Sequence, residues 1–221
     1  FYIAFALTSV YAFFALFLSA VIIAYLPYSI NWRSIKLNSA LQIFPAALFE
    51  WNAGFRKNGF WMAIIYIPIL IYSGKMSVIP IGVFILALFI AGFNIECEPL
   101  PMLEAYRKTT GKFLNSKIGL QIKCFSILIS PLFLLFLIFF PGHFYVIALA
   151  MILSWLLIAY SIAIRYAFYQ PSHKATKNLI FIGIFMACFT EPFLFPVPVL
   201  LFLKFYFQAI KNLKTYLDDY H

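Results

Sequence analysis

Between Ile118 and Phe168 the only charged side chains are Lys123 and Arg165, and the only sharp break is Pro141-Gly142-His143. A stretch this long and this apolar folds either as the core of a large soluble domain or as helices crossing a bilayer. A span needs about 20 apolar residues at about 1.5 Å of rise each. Ile118–Phe140 and Phe144–Phe168 both reach that length. Further apolar runs cover Phe1–Leu26, Phe60–Tyr72, Ser77–Phe93 and Leu179–Phe207, the last interrupted at Glu191-Pro192, Pro196 and Pro198. Composition decides between the two alternatives. The chain is 65% hydrophobic and 10% charged, where soluble domains carry about 25% charged residues. The expected fold is therefore all-α: a polytopic transmembrane helix bundle of about six to seven spans, some short or broken, plus an interfacial amphipathic helix.

The charges sort by side. Arg33, Lys36, Arg56, Lys57, Arg107, Lys108, Lys112, Lys117, Lys174, Lys177, Lys211 and Lys214 fall in alternate connections or the tail, while the other connections carry Lys75 alone. Lys123, Arg165 and Lys204 lie toward the basic end of their runs. Because basic loops stay in the cytoplasm, this predicts a multi-pass protein of a bacterial inner (plasma) membrane with its C-terminus cytoplasmic. The formal charge of +9 then reports orientation and contact with anionic lipids rather than with nucleic acid. The chain opens inside an apolar run without Met, which leads us to expect upstream sequence and to read 1–26 as an extra span.

Within 35–59, Leu37, Leu41, Phe44, Leu48, Trp51 and Phe55 recur at spacings of three and four. That is the period of an amphipathic helix, bent at Pro45 and suited to the headgroup plane. Phe60–Tyr72 is short for a span. It gains length by snorkelling from Arg56 and Lys57, or it is half of a shallow hairpin. Residues 94–117 form the most polar segment, a cytoplasmic connection with Pro99 and Pro101 forcing a turn after Glu96 and Glu98.

Thr109-Thr110-Gly111-Lys112 looks like the end of a nucleotide-binding loop, but Tyr106 stands where the first glycine belongs and Phe113 where the magnesium-binding hydroxyl belongs. The segment reads instead as a docking element, with Met102, Leu103 and Tyr106 on one face of a short helix and Arg107, Lys108 and Lys112 elsewhere. Cys97, Cys124 and Cys188 form no C-x-x-C pair and no metal-ligand spacing with His143, His173 or His221. No protease or hydrolase motif is present. No metal and no cofactor is expected.

"MLEAYRKTTGKFLNSK" after the Glu96/Glu98 pair, the broken run 179–207, and the closing "AIKNLKTYLDDYH" together resemble the permease subunits of ABC-2-type ABC transporters. The resemblance covers most of the chain. It implies an interfacial helix, two spans, a coupling loop and four more spans, in one transmembrane domain over 1–221. Phe1–Leu26 precedes the start such permeases have, and the coupling loop lacks their usual Leu-Pro-containing run. The resemblance implies a non-enzymatic subunit that moves substrate outward with work from a separate cytoplasmic P-loop ATPase, and that assembles as a dimer or hetero-oligomer. The residues that would couple to the ATPase are Glu96, Glu98, Met102, Leu103, Glu104, Tyr106, Arg107 and Lys108. Glu191, the one acid inside an apolar run, is the candidate on the outer side or translocation path. The alternative reading is a structural or assembly subunit of a larger inner-membrane complex. A lipid-modifying enzyme would need titratable side chains gathered at one depth, and the sequence displays no such cluster. Lys123 and Arg165 either line a polar cavity or snorkel to the inner interface. Glu50 is placed to pair with Arg56 or to meet a partner.

Overall fold

The computed structural model describes residues 49–95, 97–98, 103, 109–170, 177–188 and 196–218. Among these there are six α-helices and no strand: α1 Phe49–Ile71, α2 Val78–Ala91, α3 Thr110–Phe139, α4 Phe144–Ala167, α5 Lys177–Ala187 and α6 Pro196–Asp218. Short 3-10 turns cover Gly92–Ile95 and Pro141–His143. Two helical stretches are long and apolar enough to cross a membrane, Thr110–Phe139 and Pro141–Ala167, while Asn58–Ile71 and Val78–Asn94 are shorter apolar helices. Residues 1–48, most of 96–108, and Glu191 lie outside the described residues.

The boundaries follow from local chemistry. α1 passes through position 60 without a break, joining the end of the expected interfacial segment to the short apolar run after it. Nothing between Phe49 and Ile67 stops a helix: Gly54 and Gly59 each cost only about 1 kcal/mol relative to Ala. α3 starts well upstream of its apolar run because Thr109 holds the N-cap place, its carbonyl accepting the Phe113 N–H at 2.9 Å. The α3–α4 turn falls on Pro141-Gly142-His143, closed by His143 N–H to Phe140 O at 3.0 Å. Pro196 opens α6, where the N–H that proline lacks would have no helical acceptor.

The chain divides into two compact units: residues 1–86 with 124–152, and 87–123 with 153–221. In the first, α1 and the start of α2 form a tight hairpin. Its turn is held by Tyr72 N–H to Pro68 O, Lys75 N–H to Tyr72 O and Val78 N–H to Lys75 O, at 2.9, 3.1 and 3.1 Å. Ile69, Leu70, Ile79, Val83 and Leu86 fill its interior. Gly82 lets the helices close: a Cβ there would stand 2.5 Å from Ile69 Cδ1. Phe60, Trp61, Ile64, Ile81, Ile127, Leu134 and Ile138 face outward. Glu50 and Trp51 are buried, and Arg56 donates to the Asn52 carbonyl at 3.2 Å.

The second unit is built around aromatic rings and polar side chains. Phe181 and Phe205 meet edge to face at 4.7 Å, and α5 packs on the 3-10 turn after α2. The interior of its helices is not purely apolar: Asn94, Glu98, Lys117, Gln121, Ser161 and Arg165 are all buried.

The Gly82 approach yields a direct expectation. Gly82→Val should destabilise the chain by about 1–3 kcal/mol through overpacking against Ile69. Adding Ile69→Ala should recover part of that loss, so thermal unfolding of the two single variants and the double variant should show non-additive costs.

Candidate functional site: a buried ionic cluster

The clustered polar residues of the second unit come from the turn after α2 and from the facing sides of α3 and α4. The 3-10 turn carries Asn94, and the chain beyond it carries Glu98. On α3, Lys117 and Gln121 stand four residues apart; on α4, so do Ser161 and Arg165. Residues at that spacing share a helix face, so the two helices each offer two polar groups one turn apart. The groups stack as two layers.

The inner layer is made of amides. Asn94 Nδ2 donates to Gln121 Oε1 at 3.2 Å, and Gln121 Nε2 returns a bond to Asn94 Oδ1 at 3.0 Å. Asn94 Nδ2 also donates to Ser161 Oγ at 3.0 Å, whose hydroxyl bonds back to the Ile158 carbonyl at 2.8 Å. Paired amides at such a depth avoid the cost of an unsatisfied buried polar group, about 1–3 kcal/mol.

The outer layer is ionic. Glu98 is 1% exposed, Lys117 3% and Arg165 0%. Lys117 Nζ donates to Glu98 Oε1 at 2.5 Å, and Arg165 Nη2 stands 4.0 Å from the same oxygen. Tyr166 donates its hydroxyl to Glu98 Oε2 at 3.1 Å, and Tyr169 donates to the Glu98 backbone carbonyl at 2.7 Å. Rings close the site: Lys117 Nζ lies 5.9 Å from the Phe113 centroid, Arg165 5.3 Å from that of Tyr166, and Phe113 meets Tyr166 edge-on at 5.5 Å. α6 adds a second line, with Asn212 Nδ2 donating to the carbonyls of Tyr166 and Tyr169 at 3.1 and 3.3 Å.

Both carboxylate oxygens of Glu98 are thus engaged. The group holds helices together; it is not poised as a base. Tyr169, just past the end of α4, is held in its protonated donor form. Burial pushes its hydroxyl up to about 12, with Cys97, Glu98 and Tyr216 adding to the shift and Arg165 opposing it.

Of the residues the sequence nominated for coupling, Glu98 and Leu103 are described, and both are buried. Glu96, Met102, Glu104, Tyr106, Arg107 and Lys108, together with Glu191, lie outside the described residues. Arg165 is fully buried rather than snorkelling, whereas Lys123 is exposed. Lys117, read from sequence as part of a basic loop, is a buried helical ion-pair partner. The missed signal was local: Arg165, Tyr166 and Tyr169 place a cation and two hydroxyl donors on one turn at the end of an apolar run. Among the described residues, no group of three or more His, Cys, Asp or Glu gathers as a metal site. Comparisons with protein-family models, with curated proteins and with solved structures find no match.

Two expectations follow. Glu98→Ala strands two cations beside each other, and removing one partner of a buried pair costs about 3–5 kcal/mol. Denaturation in detergent should show a loss of that order, larger than for the exposed control Lys123→Ala. The Tyr169 hydroxyl gives a pH signature. An unfolded tyrosine loses its proton near about 10, so between pH 10 and about 12 the unfolded chain binds fewer protons than the folded one. Stability is therefore complete below that window and falls as pH rises through it. Thermal unfolding of Tyr169→Phe should lack this component of the alkaline loss.

Proposed function

We propose that this chain is a multi-pass membrane subunit of an ATP-driven exporter of the ABC-2 kind, itself non-enzymatic and moved by a separate cytoplasmic ATPase. The observation that carries the reading is a polar cluster buried inside helices whose outer faces are apolar. Glu98, Lys117, Gln121 and Arg165 face inward, while Phe60, Ile127, Leu134, Leu149, Leu200 and Phe207 face outward. In water this arrangement wastes apolar surface and hides charge; in a bilayer it is the economical one. The order of elements supports the exporter reading beyond membrane embedding. An α1–α2 hairpin is followed by the connection carrying Glu96 and Glu98, then by the long pair α3–α4 and the pair α5–α6. That is the order the sequence resemblance implies for a permease.

The burial of Glu98 revises how coupling works in this reading. In this reading Glu98 and Leu103 fix the root of the connection, and the contact with the ATPase falls to Glu96, Met102, Glu104, Tyr106, Arg107 and Lys108. A second reading, a structural subunit of a larger membrane complex, is favoured by the number of outward-facing aromatic rings, Phe60, Trp61, Phe144, Tyr145 and Phe207. Purification in mild detergent separates the two. The exporter reading expects a P-loop ATPase to co-purify and to be lost in a Glu104→Ala, Arg107→Ala, Lys108→Ala variant that keeps its thermal stability. Stable partners without any ATPase would replace it with the structural reading. Glu98 must stay unchanged in this experiment, since its loss would unfold the chain and mimic a lost contact.

A further inference from the structure

Within the second unit, α3 and α6 meet at an exposed hydrogen bond. Tyr206 of α6 donates its hydroxyl to Asn115 Oδ1 of α3 at 2.7 Å. The two helices run in opposite directions there. Along α3, the partners on α4 step back from Tyr166, which meets Phe113, to Ser161, which shares Asn94 with Gln121. Along α6, they step forward, from Tyr160 beside Phe205 to Tyr166 beside Asn212. With Asn115 level with Tyr206, the rise of about 1.5 Å per residue brings Gly119 within about 2 Å of the level of Leu203. Lys123 then lies within about 2 Å of the level of Val199.

The exposed residues on the two sides of that bond differ in kind. On α3, Lys112, Gly119 and Lys123 are exposed and stand nearly on one line, because their spacings are close to whole turns. Asn115 borders that line, about 60° around the helix. Residues 110–123 contain no acid. On α6, the exposed residues on the Tyr206 side are Val199, Leu203 and Phe207, all apolar. Lys204 and Lys211 lie on the far side of α6 from Tyr206. Gly119 keeps the seam open: a Cβ there would meet nothing within 4 Å. The bond from Tyr206 occupies the Asn115 amide oxygen and leaves the Nδ2 hydrogens as donors. Lys112 stands about one turn from Asn115 toward the helix start, and Lys123 about two turns the other way. The long stem of each lysine lets its ammonium bend toward the Asn115 level.

We propose that the α3–α6 seam binds one anionic phospholipid. Its phosphate sits on Asn115 and Lys112 with Lys123 beneath, and one acyl chain lies over Gly119 along Leu203 and Val199. Charge complementarity selects the occupant. Two ammonium groups and an amide donor match a phosphodiester, whereas a zwitterionic lipid brings a cation of its own to the same place. The chain runs in the direction in which α6 turns from Lys211 to Leu203 and Leu200, from basic to apolar. A free anion would leave Val199 and Leu203 uncovered, and an apolar ligand would leave the lysines unanswered. The proposal rests on the membrane reading above and gives it a specific lipid contact.

The test uses the full chain with Leu203→Trp in phosphatidylcholine vesicles. A minor fraction of the lipid is acyl-brominated, as either phosphatidylglycerol or phosphatidylcholine. The readout is quenching beyond that of the unsubstituted chain, whose own tryptophans also respond. A selective seam gives several-fold stronger added quenching by brominated phosphatidylglycerol than by brominated phosphatidylcholine at equal fraction. Lys112→Gln with Lys123→Gln removes that difference. Lys204→Gln with Lys211→Gln takes the same charge from the far side of α6 and leaves the difference intact. Equal quenching by the two lipids would overturn the proposal. So would an equal loss in both double variants, which would mark bulk attraction to a basic protein. Loss of the difference on adding millimolar inorganic phosphate would mark a bare anion site and overturn the lipid assignment. Failure of the membrane reading itself looks different: the new tryptophan is then quenched by aqueous iodide and by neither brominated lipid. A second measure keeps the natural Leu203. Native mass spectrometry after washing in neutral detergent should find one phosphatidylglycerol retained per chain and none in the Lys112→Gln, Lys123→Gln variant. Retention unchanged in that variant would overturn the site.

Discussion

A carboxylate taken out of water has to be neutralised where it lies. Glu98 is buried with Lys117 and Arg165, and the penalty for each desolvated ion is several kcal/mol before its partners are counted. That constraint organises the second unit. It requires the end of α4 to bring a guanidinium and two phenols to one place, and the first turns of α3 to bring an ammonium. It also requires the 3-10 turn after α2 to deliver the acid at the same level. Asn212 of α6 secures the arrangement from behind by holding the backbone of Tyr166 and Tyr169. The amide layer one turn away works with it. A slip of α3 against α4 by one turn would put Gln121 beside the carboxylate and Lys117 beyond its reach, so the two layers together specify a single register.

Much of the fold was legible in the apolar runs, because hydropathy reports which segments avoid water. α4 and the α3–α4 turn fell where the Pro-Gly-His break places them. The beginning of α3 was less legible. Its first turns carry Lys112, Asn115, Ser116 and Lys117, and a helix continues through polar residues as readily as through apolar ones when its backbone bonds are made. The same blindness split α1 into two segments that the backbone joins. The ionic cluster was the least legible feature. Glu98 was singled out, but as a surface contact, and its partner Lys117 was read as a topology signal. A one-dimensional pattern shows charge near a helix end; it does not show that three such ends converge. Bonds linking residues 71 positions apart, such as Tyr169 to Glu98, lie beyond any local period.

The distribution of polarity separates stability from function in this chain. Inward-facing ions and amides are spent on holding helices in register. Arg56, Lys75, Lys112, Lys123, Lys204, Lys211 and Lys214 are exposed. On α6, the outward residues change from Leu200, Leu203 and Phe207 to Lys211 and Lys214. On α3, the outward residues change in the opposite chain direction, from Lys112 and Lys123 to Ile127 and Leu134. Both helices therefore leave an apolar surrounding for one that accepts cations.

The position of Glu98 in the chain also has a consequence for biosynthesis. A ribosome makes the acid before Lys117, its partner nineteen residues on, and long before Arg165. Until those cations emerge, the carboxylate is stable only in contact with water, so the acid stays solvated until α3 and α4 have been made. The last turn of α4 then closes the cluster. An electrostatic clamp that closes late is also selective: a chain whose α4 packs with its ends reversed has no guanidinium to offer at that place, and is left with an acid beside one cation instead of two.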